Sequence, residues 1–217
     1  MKSFMSFSMK ASKKLKLYLK QNMKYLIYNI ENLTNEEYQK WFSLMTEEKQ
    51  ERVSRYKDIE RRKCSVAGEM LVKNYIEEVT STAPEGIEIL IGDNGKPHIK
   101  NCEIHFNISH CEDVVVCAFS DEEIGIDIEK IRPISLNIIK RFYSEKEQKY
   151  VLGHSPTQKD FQKCEDEEIL ERFYRIYTLK EAICKKSGIG IKGLKEADAL
   201  PFSDKSFKEN DFIISII

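Results

Sequence analysis

The sequence predicts an α+β protein made of two halves of similar plan. A β-prone run at 25–28 is followed by helical stretches and then by short strands, and the same order begins again near residue 124. The 217 residues suffice for one domain or for two small domains with a real core. No sequence repeat links the halves, so this prediction depends on the order of the elements alone.

The first half is predicted to run from residue 23 to residue 123. Thr34, followed by Glu36 and Glu37, is typical of a helix start, and the stretches 92–95 and 110–113 are turn signals. The predicted elements are a strand at 25–28, helices at 35–56 and 60–79, and strands at 87–91, 105–108 and 114–119.

The second half is predicted to run from residue 124 to residue 217. Arg132-Pro133 interrupts its first strand, and Gly188 and Gly190 end its last helix. The predicted elements are a strand at 124–128 and helices at 136–142, 145–151 and 165–186.

Charge and composition exclude several classes of protein. The chain has 35 basic and 36 acidic residues, a formal net charge of −1, so no overall field favours nucleic acid or an anionic membrane. No run is long and apolar enough to predict a membrane span. The six cysteines form no C-x-x-C pair and no zinc spacing with histidine, which favours reduced core cysteines and a cytoplasmic protein.

Residues 1–22 differ from the rest of the chain and are predicted to form a disordered basic tail. The first 24 positions hold seven lysines and no acidic residue. No apolar stretch with a cleavage site follows, so a secretory signal is not predicted. An organelle-targeting peptide is a less favoured alternative, because arginine is absent from the stretch. The alternative is that Met23 is the true start.

Two carboxylates stand on one predicted strand, in the segment GIDIE. Alternate side chains of a strand share a face, so Asp127 and Glu129 point one way while Ile126 and Ile128 point into the core. Neighbouring carboxylates repel each other unless a cation lies between them, and Mg²⁺ prefers oxygen ligands. The alternative is the solvated polar face of an edge strand.

A third carboxylate and a lysine share one face of the predicted helix at 165–186. Glu181 and Lys185 are four residues apart, so they stack on the same side of that helix. Glu181 suits a cation site, and Lys185 suits phosphate oxygens one turn away. The alternative is an ordinary surface ion pair, which contributes little to stability.

Residues suited to phosphate lie in the first half. The segment FNISH is predicted to end a strand and enter a turn, which presents Ser109 and His110 to a ligand; neighbouring side chains point apart, so His110 is not expected to activate Ser109. The turn NGKP at 94–97 lacks P-loop spacing, and the basic run at 49–63 is by default a solvated helix face. Together with three carboxylates, these groups suit phosphoryl chemistry on a diphosphate.

On these motifs the chain resembles the 4′-phosphopantetheinyl transferases, specifically the longer type that activates surfactin synthetase. The segment 131–147 is similar to the linking segment of that family, and the resemblance covers roughly residues 23 to 200. Three ordered blocks carry it: GKP at 95–97 with FNISH at 106–110, GIDIE at 125–129, and KEA-x-x-K at 180–185 with Gly188 and Gly190 after it.

The resemblance implies a role for each matching residue. Asp127, Glu129 and Glu181 would hold Mg²⁺, or Mn²⁺ in its place, and Lys185 would contact the diphosphate of coenzyme A, the co-substrate. Glu181, or Glu147 through a water, would take the proton from a serine of the carrier protein. Coenzyme A would contact Ser109, His110, Lys49, Arg52 and Arg62 near its 3′-phosphate, and Gly95, Lys96 and Pro97 along its adenine.

The resemblance also implies the reaction and its setting. The 4′-phosphopantetheine moiety would pass to an apo acyl or peptidyl carrier protein, leaving 3′,5′-bisphosphoadenosine, as in a holo-acyl-carrier-protein synthase. We therefore expect a monomeric enzyme of peptide, polyketide or fatty acid synthesis, with no nucleic acid or membrane partner. Its two halves would be related by a pseudo-twofold axis, with coenzyme A on the first, the metal on the second and the active site between them.

Two features depart from the pattern of the family. Tyr177 stands where the family usually has tryptophan, an aromatic exchange that should keep the packing. After Gly190 the family usually continues for several more strands, so the second half is expected to be shortened at its C-terminus. The apolar run at 212–217 is then expected to lie unpaired in mid-sheet, where it would favour aggregation.

Two other functions stay open at this point. The first is another Mg²⁺-dependent phosphoryl-transfer or phosphodiester enzyme, which would use the same carboxylates without Ser109, His110 or a carrier protein. The second is a non-catalytic binder of coenzyme A or of a carrier protein. The intact set of three carboxylates and Lys185 argues against the binder.

Overall fold

A computed structural model describes residues 16–20, 23–92 and 95–217 of the chain. The chain divides into two compact units, one ending at Ile124 and the other beginning at Gly125. Each unit combines helices with antiparallel sheet, so the predicted α+β class is confirmed. The predicted boundary, between residues 123 and 124, lies one residue earlier than the observed one.

The first unit contains a four-stranded sheet and a separate hairpin. Its strands are β1 (Lys16–Lys20), β2 (Met23–Asn29), β3 (Ile89–Ile91), β4 (Pro97–Ile99), β5 (His105–Cys111) and β6 (Val114–Ser120). The sheet is antiparallel, with the order β1-β2-β6-β5, and β3 pairs with β4 alone.

Strand β1 overturns part of the prediction for the N-terminal segment. Residues 16–20 are not a disordered tail, because they pair with β2 from Lys16 opposite Ile27 to Lys20 opposite Met23. Strand β2 has β6 on one side, so its other edge offers backbone groups with which a preceding segment can pair. Residues 1–15 and 21–22, the rest of the predicted tail, lie outside the described residues.

The helices of the first unit are α1 (Asn35–Ser43), α2 (Glu47–Ser54) and α3 (Ile59–Thr80), with single 3-10 turns at Ile30–Asn32 and Pro84–Gly86. Thr34 begins α1 through a reciprocal capping box with Glu37, as its sequence predicts. The predicted single helix at 35–56 is wrong, because the hydroxyl of Thr46 accepts a hydrogen bond from the backbone N–H of Lys49 and starts a new helix there.

Helix α3 forms the centre of the first unit's core. It packs against β5, β6 and α1, and Val66 and Leu71 are fully buried. The ring of Tyr75 stacks on that of Phe119, with 3.8 Å between their centroids. The long helix therefore fixes the sheet that carries Ser109 and His110 of β5.

The second unit contains a three-stranded antiparallel sheet with the order β10-β11-β7 and a short pair of β8 with β9. The long helix α6 packs against β7 and β11, and α5 packs against α6. The elements are β7 (Ile126–Lys130), β8 (Ile134–Ser135), α4 (Asn137–Phe142), α5 (Glu145–Leu152), β9 (Lys163–Cys164), α6 (Glu167–Ser187), β10 (Ser206–Glu209) and β11 (Phe212–Ile216), with 3-10 turns at Gln158–Asp160, Ile191–Gly193 and Leu200–Lys205.

Strand β11 corrects the prediction for the C-terminal segment. It does not lie unpaired, because β10 pairs with one of its edges and β7 with the other. Asn210, at φ 53°, and Asp211 turn β10 back into β11 as a two-residue hairpin. The apolar run is therefore the central strand of this sheet, with Ser215 opposite Asp127.

All six cysteines lie in the described part of the chain, and none is in a disulfide, as predicted. Cys64, Cys117 and Cys184 are buried. Burial raises the pKa of Cys64 to about 12 and that of Cys184 to about 11, so these thiols stay protonated and unreactive at neutral pH.

None of the helices in the described ranges combines the length and the apolar character that crossing a membrane requires.

Candidate functional site

Strand β7 presents its two carboxylates to helix α6. Asp127 is buried and Glu129 is half-buried, although β7 lies at the edge of its sheet. The alternative of a solvated polar face is therefore wrong. Ile126 and Ile128, which alternate with the carboxylates, are also buried, as predicted.

Gly125 sets how closely α6 approaches β7. A Cβ atom at this position would lie 1.9 Å from the carbonyl oxygen of Ala182, so the strand and the helix meet backbone to backbone. Gly125 and Asp127 are two residues apart and share one face of the strand. The close approach therefore brings the turn of α6 that carries Glu181 and Lys185 over Asp127.

Lys185 forms an ion pair with Asp127, in which its Nζ donates to Oδ1 over 2.7 Å. The side chain of Asp127 is only 6% exposed, whereas that of Lys185 is 29% exposed. The pair joins strand to helix across 58 residues of sequence. The alternative of an ordinary surface pair within the helix does not describe this lysine.

Glu181 lies close enough to Asp127 for the two charges to interact. Burial raises the pKa of Glu181, and repulsion from Asp127 adds to that rise, while Lys185 and a hydrogen bond from Tyr177 offset part of it. An ionised Glu181 is therefore disfavoured in this position unless further positive charge arrives.

Tyr177 connects all three carboxylates. Its hydroxyl donates to Oε1 of Glu181 over 3.4 Å, and its ring stacks on that of Phe173 with 5.9 Å between centroids. Burial raises the pKa of Tyr177, and the charges of Glu181, Glu129 and Asp127 raise it further. The charges of all three carboxylates thus act on one hydroxyl, and the aromatic exchange at position 177 keeps an aromatic packing partner.

The three carboxylates offer oxygen ligands of the kind that a divalent cation requires. Within the described ranges, no group of three histidine, cysteine, aspartate or glutamate side chains is arranged to hold a metal ion as it stands. The chemistry of the set nevertheless fits Mg²⁺, because it offers only carboxylate oxygens. Asp127 already pairs with an ammonium group, and burial followed by repulsion from Asp127 raises the pKa of Glu181, so added positive charge would be favourable here.

Glu147 lies away from solvent and holds the second unit together. It is fully buried, its Oε1 accepts from the N–H of Ala199 over 3.1 Å, and its Oε2 accepts from the N–H of Ser144 over 2.7 Å. Nζ of Lys180 lies 3.0 Å from the same Oε2. These bonds do not suit the predicted role of Glu147 as a base acting through water, since both oxygens are already engaged.

Sequence reasoning missed three polar residues at the centre of this unit, Lys180, Thr178 and Ser215. Lys180, buried beside Glu147, also donates to the carbonyl oxygens of Leu194 and Ala197. The hydroxyls of Thr178 and Ser215 are 2.7 Å apart and fully buried, which ties α6 to β11. Lys180 stands in the quoted KEA block, but nothing in the sequence distinguishes its buried ammonium from the exposed lysines nearby.

Ser109 and His110 lie in the first unit, and their local structure corrects the prediction. Both belong to β5, which continues to Cys111, so the predicted turn at 110–113 begins later, at Glu112 with φ 51°. Ser109 is buried and His110 is exposed, because neighbouring residues of a strand face opposite ways. Side chains on opposite faces of a strand do not favour a pair of nucleophile and base.

The segment around Lys96 forms the turn into β4. Gly95 has φ +78°, and Pro97 begins the strand, while Asn94 lies outside the described residues. Lys96 forms an ion pair with Glu123 and donates to the carbonyl oxygen of Ile124 over 3.1 Å.

The three basic residues predicted to bind the 3′-phosphate have different surroundings. Lys49 pairs with the buried Glu69 at 2.6 Å. Arg62 donates through Nε to the carbonyl oxygen of Tyr56 over 2.6 Å and through a terminal nitrogen to that of Ser54 over 3.0 Å. Arg52 is exposed on α2. The first two are thus engaged within the unit.

Two family models match the chain in tandem. Residues 32–123 match the N-terminal region of 4′-phosphopantetheinyl transferases, and residues 123–214 match the 4′-phosphopantetheinyl transferase superfamily. The junction of the two matches falls within two residues of the division between the two compact units.

Curated proteins similar to the chain bear the same description. The 4′-phosphopantetheinyl transferase Sfp of Bacillus subtilis is 35% identical over 168 residues, which cover 77% of this chain and 70% of that protein. The 4′-phosphopantetheinyl transferase gsp of Aneurinibacillus migulanus is 34% identical over 149 residues, covering 69% and 58%. The L-aminoadipate-semialdehyde dehydrogenase-phosphopantetheinyl transferase of Mus musculus is 28% identical over 156 residues, covering 69% and 50%.

Proposed function

The chain belongs to the 4′-phosphopantetheinyl transferase superfamily, and we propose that it transfers the 4′-phosphopantetheine moiety of coenzyme A to a serine of a carrier protein. One observation carries the proposal: Lys185 of α6 pairs with the buried Asp127 of β7, and the charges of Asp127, Glu129 and Glu181 all act on Tyr177 of the same helix. A cation site beside a partly exposed ammonium group suits a diphosphate substrate.

The reaction breaks the diphosphate of coenzyme A. The serine oxygen of the carrier bonds to the phosphorus that bears pantetheine, and the bond from that phosphorus to the bridging oxygen breaks. The leaving group is 3′,5′-bisphosphoadenosine, and the serine proton passes to a base. Because the carrier supplies the nucleophile, the chain needs no nucleophilic residue of its own.

The residues of the second unit divide this work. Asp127, Glu129 and Glu181 would hold Mg²⁺, or Mn²⁺ in its place, which when bound supplies positive charge to the diphosphate oxygens. Lys185 adds an ammonium group that offsets the charge of the leaving group. Glu181 is also proposed to accept the serine proton, as the match to the family implies. Glu147 is given a structural role instead.

Coenzyme A is proposed to bind to the first unit. Arg52 and His110 are exposed cations or hydrogen-bond donors that suit the 3′-phosphate. Ser109 stands next to His110 in β5. Gly95 and Pro97 flank the adenine in this proposal, because a glycine turn leaves room for a flat ring. Lys49, Lys96 and Arg62 also belong to the proposed set, and each first has to exchange the partner that it holds.

The finer assignments are proposed on family membership alone. The acceptors would be acyl or peptidyl carrier domains, which makes the chain a holo-acyl-carrier-protein synthase where the carrier is of the fatty acid type. We place the enzyme in the cytoplasm as a monomer, in peptide or polyketide synthesis. The named relatives support the transferase activity itself.

The test is the intact mass of a purified apo carrier protein after incubation with the chain, coenzyme A and Mg²⁺. We expect a gain of one phosphopantetheine per carrier, and none when EDTA is present. The Asp127→Ala variant should give no gain, whereas Asp204→Ala, which removes an exposed carboxylate of the same unit, should match the wild type. Transfer by Asp127→Ala at the wild-type rate would refute the metal assignment.

No gain with any carrier, while coenzyme A still binds, would favour a non-catalytic binder. Hydrolysis of the diphosphate without transfer would favour another phosphoryl enzyme.

A further inference from the structure

We propose that Lys185 is the internal counter-ion of the unloaded site. Its ammonium group stays paired with Asp127 until a divalent cation binds that carboxylate, and Lys185 then contacts the diphosphate of coenzyme A. This inference rests on the proposed function, because it concerns the order in which the same site is filled.

The geometry of the pair supports an exchange. Nζ of Lys185 lies 2.7 Å from Oδ1 of Asp127, at full hydrogen-bond contact. Asp127 is fixed in a buried strand between Ile126 and Ile128, and its side chain is almost without solvent. Lys185 is nearly a third exposed and carries a flexible four-carbon stem, so the lysine is the partner that can move.

The two cations cannot share Asp127 at low cost. Mg²⁺ binds carboxylate oxygens at about 2.1 Å, which would leave two units of positive charge beside the ammonium group in a site of low dielectric. Displacing Lys185 from Asp127 therefore opposes cation binding. The diphosphate of coenzyme A offers the displaced ammonium group a further anionic partner, so each ligand should strengthen the binding of the other.

The exchange also accounts for the arrangement of the carboxylates. In the described part of the chain no three metal-ligating side chains are set to hold an ion, although Asp127, Glu129 and Glu181 all act on the hydroxyl of Tyr177. While Lys185 pairs with Asp127, an ammonium group engages one carboxylate of the set. Release of Lys185 makes that carboxylate available to the cation.

The test measures Mn²⁺ binding to the full chain without coenzyme A, by electron paramagnetic resonance of the free ion. The variant Lys185→Met keeps most of the stem and removes the charge, and it should bind Mn²⁺ about tenfold more tightly than the wild type, a factor equivalent to about 1.4 kcal/mol. Lys185→Arg keeps a cation on Asp127 and should show no gain.

Lys186→Met is the matched control for net charge. It removes the same charge one residue along, where the helix has turned by about 100°. It should bind Mn²⁺ as the wild type does. Adding coenzyme A should tighten Mn²⁺ binding to the wild type but not to Lys185→Met.

Equal gains in Lys185→Met and Lys186→Met would overturn the inference, since they would show a general effect of charge. The inference is also overturned if Lys185→Met binds Mn²⁺ no more tightly than the wild type, or if no variant binds Mn²⁺. These outcomes are independent of the carrier assay. If the chain transfers phosphopantetheine but Lys185→Met binds Mn²⁺ no more tightly, only the proposed exchange is refuted. If Lys185→Met binds Mn²⁺ more tightly but the chain does not transfer phosphopantetheine, only the proposed function is refuted.

Discussion

Gly125 and Ala182 touch through their backbones, because a Cβ atom on Gly125 would lie 1.9 Å from the carbonyl oxygen of Ala182. The nitrogen of Lys186 would lie 2.7 Å from the same atom. Helix α6 therefore has no room to accept a side chain at the start of β7. Gly125, which has no reactive side chain, therefore sets the distance from this strand to Glu181 and Lys185.

We expect Gly125→Ala to separate α6 from β7 and to damage both stability and transfer. Neither contact is with a flexible side chain, so the helix itself has to move, at a cost of about 3 kcal/mol in the free energy of unfolding. A shift of about 1 Å in Lys185 should slow transfer by about 100-fold. Urea unfolding and the carrier mass assay measure the two effects.

Gly86→Ala is the control for this substitution. A Cβ atom on Gly86 meets only Cγ2 of Thr82, at 3.5 Å, an ordinary contact. The transfer rate of this variant should stay within about twofold of the wild type, and its free energy of unfolding within about 1 kcal/mol. If Gly125→Ala behaved like Gly86→Ala, the backbone contact would not set the position of α6.

Lys180→Met should cost about 3–5 kcal/mol in the free energy of unfolding, because it leaves the buried carboxylate of Glu147 without its counter-charge. The double variant with Glu147→Met should lose less than the sum of the two single losses. Lys208→Met, which breaks an exposed pair with Glu171, should change stability by about 0.5 kcal/mol or less. Additive losses for Lys180 and Glu147 would mean that the two charges are not coupled.

Glu181→Gln should stabilise the metal-free chain at neutral pH while abolishing transfer. The pKa of Glu181 is raised in the folded state, so the folded chain holds this proton more tightly than the unfolded chain does. Its contribution to stability is present below the ordinary glutamate pKa and is lost as the pH rises through the raised value. The amide side chain of the Glu181→Gln variant does not ionise, so the variant does not lose this stability as the pH rises.

Thermal unfolding from pH 4 to pH 8 without metal checks this sign. The melting temperature of Glu181→Gln, relative to the wild type, should rise with pH. Added Mg²⁺ should raise the melting temperature of the wild type and leave that of the variant unchanged. A wild type that gains stability over Glu181→Gln between acid and neutral pH would contradict the raised pKa.

Arg52→Ala and Lys49→Ala should separate binding from folding in the first unit. Arg52 is exposed, so its loss should raise the KM for coenzyme A about tenfold without changing the KM for 3′-dephospho-coenzyme A or the stability. Lys49 pairs with the buried Glu69, so its loss should lower the free energy of unfolding by about 1–3 kcal/mol. Equal KM changes for both substrates with Arg52→Ala would remove Arg52 from the 3′-phosphate site.

Local signals in the sequence predict much of this fold. Thr34 starts α1 through its side chain, and Gly188 ends α6 in the left-handed conformation, so both boundaries are encoded within a few residues. The alternation in GIDIE correctly places Ile126 and Ile128 in the core. These features depend on the backbone preferences of residues close in sequence.

Other features depend on partners far along the chain, and the sequence does not predict them. The strand β5 extends through His110 because β6 pairs with it over its whole length. Asp127 is buried because α6 crosses it, and Glu147 is engaged because Lys180 and Ala199 reach it. No local pattern carries that information. The residue types of the candidate site are therefore readable from the sequence, whereas their partners are not.

The central position of β11 determines when the second unit can fold during synthesis of the chain. Asp127 is synthesised well before Ser215, the residue of β11 that lies opposite it in the sheet. The sheet of the second unit cannot form before β11 has been synthesised. Until then, the edge of β7 that pairs with β11 stays unpaired. Pairing over such sequence separations is slow to form. The second unit should therefore fold after translation has passed β11, and the first unit can fold well before it.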